Sequence, residues 1–245
     1  MTQLARRLGT ADAVVLGLGA MIGAGVFAAF APAARSAGSA LLAGLALAAL
    51  VAYCNATASA QLAAAYPTSG GTYVYGRERL GDWWGYLAGW GFVVGKTASC
   101  AAMALTFAAY AAPPGWQRPV AVAAVIALAA VNYRGVTRTA RLARIVVTVV
   151  LVVLALVTAA GLTGPAATGP AVASSAYGIL QSAGLLFFAF AGYARIATMG
   201  EEVRDPQRTI PRAILLALSL AVAVYAAIGV ALLHVLGAQR LGDST

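Results

Sequence analysis

Apolar residues run along this chain in blocks of about twenty, separated by short connections rich in Pro, Gly and Arg. Blocks of that length match the hydrocarbon thickness that a helix crosses at about 1.5 Å per residue. Seven of them predict membrane-spanning helices over about Ala11–Ala34, Ser39–Ala65, Trp83–Ala112, Pro119–Tyr133, Leu142–Gly161, Ala176–Gly200 and Pro211–Leu236. The connection Tyr66-Pro67-Thr68-Ser69-Gly70-Gly71 must leave the second span, because Pro and paired Gly do not continue a helix. After it, TYVYGRERLGDWWGY mixes aromatic and charged positions and reads as a segment lying along the membrane surface.

Two blocks carry glycine where a continuous helix has no use for it. Gly17 to Phe27, GLGAMIGAGVF, holds four glycines in its first nine residues, and each weakens a helix by roughly 1 kcal/mol relative to Ala. The Gly23-Ala24-Gly25 step reads as a break, and a second candidate is Phe187 to Gly200, FFAFAGYARIATMG. Backbone groups freed by a break are tolerable at membrane depth only where they line a cavity and meet a ligand or ion. The two segments are therefore expected to form two halves of one substrate site. The competing reading for the glycines is close helix–helix packing of the small-xxx-small kind.

At 62% hydrophobic and 9% charged, the chain departs from a soluble domain, where about a quarter of residues are charged. The net charge of +9 does not point to nucleic acid, since the arginines fall between apolar blocks rather than along one face. Arg6, Arg7, Arg77, Arg79, Arg134, Arg138, Arg141, Arg144, Arg204, Arg208 and Arg212 fall on one side of the membrane, and only Arg35, Arg118 and Arg240 on the other. Loops on the cytoplasmic side retain basic residues, so a multi-pass protein of the cytoplasmic membrane with its N-terminus inside is predicted. Arg6-Arg7, an apolar run and Ala31-Pro32-Ala33 imitate a cleavable leader, but the apolar run is too long for one and further spans follow. Cys54 and Cys100 lie within apolar runs and are expected as buried thiols, not a disulfide.

Two basic residues remain inside the blocks. Lys96, the one lysine, stands about 13 residues into the third span, and Arg195 lies beside the break in the sixth, shortly before Glu201 and Glu202. An intramembrane charge marks a functional site by default, although Arg195 also fits a snorkelling, ion-paired structural role. Enzyme chemistry finds no support: His234 is the one histidine, and there is no nucleophile–base pair, metal-ligand cluster or phosphate loop. No cofactor is expected.

With GLGAMIGAGVF, YPTSGGTYVYGRERLG and FFAFAGYARIATMGEEVRDPQRTIPRAI in this order, the chain resembles the amino acid–polyamine–organocation permease superfamily over essentially its whole length. The resemblance implies an all-α integral membrane protein with the inverted-repeat (LeuT-like) transporter fold, about seven spans present, and spans 1 and 6 discontinuous. Residues 1–165 would form the first five-helix repeat and 166–245 an incomplete second one, as in a chain truncated after its seventh span. The resemblance implies a permease for amino acids, coupled to protons or to a counter-transported amino acid, with the lipid bilayer as its other partner and no nucleic acid.

It also implies roles for individual residues. The N–H groups of Ala24 and Gly25 would take the substrate carboxylate at the positive end of a helix dipole. The carbonyls of Met21, Phe188 and Ala191 would take its ammonium, while Gly23, Gly25 and Gly192 permit close approach to backbone. Phe187, Phe188, Phe190 and Tyr193 would shape the pocket. Three departures bear on this: relatives often have Ser or Thr at the place of Ala24, many proton-coupled ones a lysine near Val150, and many an acidic residue where this chain has Ala194-Arg195. Lys96 is accordingly expected to titrate or to act as counter-ion to an acidic substrate group, and Arg195 to disfavour cationic substrates. The alternatives are a non-transporting fragment or partial subunit and a seven-helix receptor-type protein. The retinal form of the latter needs a lysine in the last span, which this chain lacks.

Overall fold

The computed structural model describes residues 8–133, 136–167 and 172–244. They form eleven α-helices: α1 Thr10–Met21, α2 Ala24–Ala28, α3 Phe30–Ala37, α4 Leu41–Ala65, α5 Thr72–Leu80, α6 Asp82–Ala111, α7 Gln117–Tyr133, α8 Val136–Thr163, α9 Ala176–Phe190, α10 Ala194–Ala197 and α11 Pro206–Asp243. Arg6, Arg7 and Arg134 lie outside the described residues, as does part of the connection before α9.

The expected spans appear with changed edges. The first is α1 to α3, and the chain then reverses through a 3-10 turn at Gly38–Ala40, so that Phe30 and Leu45 both stand against Gly229. Among the described residues six stretches are long and apolar enough to cross a membrane, and α7, at 17 residues, is the short one. The segment after the second span is a helix: α5 runs between Gly71 (φ 56°) and Gly81 (φ 101°), whose positive φ turns the chain sharply at both ends. The seventh span starts earlier than the apolar block because Pro206 suits the first helical position, and it is interrupted at Gly237 (φ 70°), close to its predicted end at Leu236.

The core forms where α1, α3, α4, α9 and α11 pack together. One face of α4 buries Leu41, Gly44, Leu45, Ala48, Ala52, Ala56, Ala60 and Ala63, a stripe of mostly small residues at helical spacing that lets neighbouring backbones approach. The ends of the bundle are tied by polar contacts. The Leu8 N–H donates to the Glu202 carbonyl at 3.1 Å and the Arg204 N–H to the Leu8 carbonyl at 2.9 Å. At the far end Arg35 Nε and Nη2 donate to the Gly242 carbonyl at 3.0 and 2.8 Å, a cation meeting the negative end of α11.

By contrast, α6 and α8 bury little of themselves and present Trp90, Val93, Leu105, Val149, Val153 and Leu156 outward. Cys54 and Cys100 are also exposed, which corrects the expectation of buried thiols. An apolar run in a membrane protein faces lipid or neighbouring helices as readily as its own core, so apolar context does not imply burial within the chain.

Candidate functional site

The break in the first span lies at Ile22 (φ −78°, ψ 83°) and Gly23 (φ −148°, ψ −139°), where the backbone leaves helical values between α1 and α2. The sixth span is interrupted more gently. Its backbone keeps helical dihedrals, but Ala191–Tyr193 tighten to a 3-10 turn between α9 and α10. Such a change of pitch shifts which carbonyls lose their partners.

The two interruptions meet. A Cβ built on Gly192 would overlap the Ala20–Met21 backbone, and one on Gly25 would overlap Ala189. These two glycines therefore serve close contact between the spans. Gly23 differs: a Cβ there would sit 3.4 Å from Met103 Sδ, ordinary contact at the edge of open space.

That space is a cavity of ≈ 370 Å³, within the range of small-molecule sites. It brings together Met21, Gly23 and Gly25 of the first span, Phe188, Ala191 and Gly192 of the sixth, and Lys96 of α6. Ala24 opens α2 beside them. Arg195 is exposed outside the lining, with Nη1 3.1 Å from the Thr198 hydroxyl. Phe187 and Tyr193 line the cavity, whereas Phe190 is fully buried against Tyr225, ring centroids 5.0 Å apart.

The polar lining also includes residues not singled out from the sequence: Asn55 and Ser59 of α4, Thr72 and Ser99. A signal existed for the first two, polar residues four apart on a mostly apolar helix. Lys96, Ser99 and Met103 similarly follow helical spacing along α6. The Lys96 ammonium stands 5.7 Å from the centroid of the Phe92 ring, a cation–π distance.

The resemblance gives Met21, Phe188 and Ala191 as acceptor carbonyls, and here each already accepts a hydrogen bond. Ala191 N–H donates to Phe188 and Ala194 N–H to Ala191. The Met21 carbonyl takes the Gly23 N–H at 2.9 Å and the Tyr225 hydroxyl at 2.6 Å. A carbonyl has two lone pairs, so Met21, with two donors, is fully engaged. Tyr225, in the middle of an apolar helix, is the residue that sequence reasoning passed over.

A model of the family described as amino acid permease matches residues 8–243. The chain belongs to this family. It is 66% identical to an uncharacterised transporter of Mycobacterium tuberculosis over 98% of its own length and 55% of the relative's. It is 30% identical to the serine/threonine exchanger SteT of Bacillus subtilis, covering 97% of this chain and 57% of that one, and 27% identical to the branched-chain amino acid permease BcaP of the same organism, covering 91% and 53%. The chain thus spans about half the length of the curated relatives it matches. For a permease-family chain, a cavity at two interrupted spans is the candidate substrate site.

Outside the cavity, α5 and the sixth span are bound together. The buried Tyr75 hydroxyl stands 3.5 Å from the Ala197 carbonyl, and burial pushes its pKa up to about 12. Asp12 and Arg144 form an ion pair between α1 and α8. His234 Nε2 lies 3.2 Å from the Gly164 carbonyl and is part-buried, held to the connection after α8 rather than facing freely outward. No group of three metal-ligating side chains occurs among the described residues.

Proposed function

We propose that the chain is the substrate-holding part of a secondary active transporter that moves amino acids across the cytoplasmic membrane by alternating access. The observation that carries the reading is the cavity at the meeting of two interrupted spans, lined by Gly23 and Gly25 where α2 begins and by Phe188 and Ala191 where α9 gives way to the 3-10 turn. An amino acid needs donors for its carboxylate and acceptors for its ammonium, and helix ends supply both without a fixed charge. The carboxylate goes to the Ala24 and Gly25 N–H groups and the ammonium to the Phe188 and Ala191 carbonyls. The Met21 carbonyl joins only if substrate displaces the Tyr225 hydroxyl.

The N-terminus is assigned to the cytoplasmic side on the eleven-to-three partition of arginines, and residues 1–165 and 166–245 to successive repeats of the transporter. Names of relatives, an exchanger and a permease for amino acids among them, support the substrate class. Because the matched region is about half of each relative, transport is assigned to the complete transporter and the site to these helices. The interrupted first span favours this over a receptor, which has no need of a break.

Uptake of a radiolabelled amino acid panel into proteoliposomes holding the full-length protein, with and without a pH gradient or internal amino acids, tests the reading. Saturable uptake of at least one amino acid is expected; absence of both uptake and binding for every member overturns it.

A further inference from the structure

We propose that this site takes an amino acid whose side chain ends in a carboxylate, with the α-carboxylate at the Gly23–Gly25 interruption and the side-chain carboxylate on the Lys96 ammonium. The proposal rests on the amino acid reading above and names the substrate class.

Charge is the first argument. Lys96, fifteenth of the thirty residues of α6, stands halfway along a spanning helix and lines the cavity. Among the described residues no Asp or Glu lines that cavity, and none lies within ion-pair distance of Lys96. A cationic substrate side chain meets repulsion in a poorly screened space. A neutral one leaves Lys96 without a counter-charge at membrane depth, where that is costly. A carboxylate answers both.

Spacing is the second. Met103 Sδ faces Gly23 and so marks the level of the interruption on α6. Lys96 is seven residues earlier, two turns along the same face, about 10 Å down the axis. The four-carbon stem of lysine together with a short dicarboxylic amino acid fills that gap. In the other direction from Met103 a second cavity of ≈ 400 Å³ is walled by Phe27, Phe107 and Tyr110 with almost nothing polar. Among the described residues lining the two cavities, a second carboxylate meets a cation on the Lys96 side.

The test measures binding and uptake of L-aspartate, L-glutamate, L-serine, L-leucine and L-arginine by the full-length protein in proteoliposomes. The expected result is that aspartate or glutamate binds best, that excess arginine does not compete, and that Lys96→Met lowers affinity for the acidic amino acid at least tenfold while Lys96→Arg keeps most of it. Tighter binding of serine, leucine or arginine than of both acidic amino acids overturns the proposal, as does an unchanged preference in Lys96→Met. If that variant does not fold, Lys96→Gln and the wild-type competition order decide. Folded protein that binds none of the five sinks the amino acid reading with it; binding of neutral amino acids alone sinks only this inference.

Discussion

The Tyr225 hydroxyl lies 2.6 Å from the Met21 carbonyl and 3.1 Å from that of Ala189, so one phenol in the seventh span holds the ends of both interrupted helices. The ring is fully buried between Phe30 and Phe190. Both carbonyls belong to turns that have lost part of their helical ladder, and the phenol supplies a donor that no water reaches.

Tyr225→Phe keeps the ring and removes that donor. Leaving buried acceptors short of a partner costs about 1–3 kcal/mol, so the variant is expected to melt at lower temperature in a detergent thermostability assay. A melting curve like that of the wild type would mean that the tie contributes nothing.

The glycines of the two spans are expected to separate by role. Gly192→Ala and Gly25→Ala each force a methyl group into the backbone or side chain of the facing span and are expected to cost about 1–3 kcal/mol or more through overpacking. Gly23→Ala, with Met103 at ordinary contact distance, should fold and instead weaken substrate binding. Thermostability and binding assays on all three variants read this out, and equal destabilisation by all three would contradict it.

Arg144→Ala breaks the ion pair to Asp12, whose side chains are 59% and 27% exposed. Solvent-facing pairs contribute about 0–1 kcal/mol, so little change in melting temperature is expected. Asp12 retains the Gly9 N–H at 3.2 Å as a partner. A large loss of stability would show that the pair is shielded in the complete transporter.

Tyr75 gives a pH prediction. Its folded pKa, about 12 against 10.0 for the free side chain, favours the protonated form of the folded state. The stability it contributes is complete below pH 10 and is lost as pH rises from 10 through about 12. Tyr75→Phe should therefore soften the alkaline decline in melting temperature over that window. An identical decline in the variant would argue against burial of this phenol.

The spans, their order, the end of the second span at Pro67 and the break at Gly23 were all legible along the chain. Each is written locally, in the length of apolar blocks, in Pro and Gly where a helix cannot continue, and in glycines clustered where a helix should run on. Lys96 was legible for the same reason, since a charge stands out against an apolar block whatever it faces.

Facing and contact were decided by the tertiary structure alone. Gly25 and Gly192 read identically to Gly23 in sequence and line the same cavity, and only the approach of the sixth span to the first shows that these two also pack against the facing span. Cys54 and Cys100 point outward although their neighbours are apolar, because in a membrane hydrophobicity marks depth and not interior. Tyr225 gave no signal: its partners are main-chain carbonyls 204 and 36 residues away, which bear no side-chain signature and become acceptors only once two helices are interrupted beside a third.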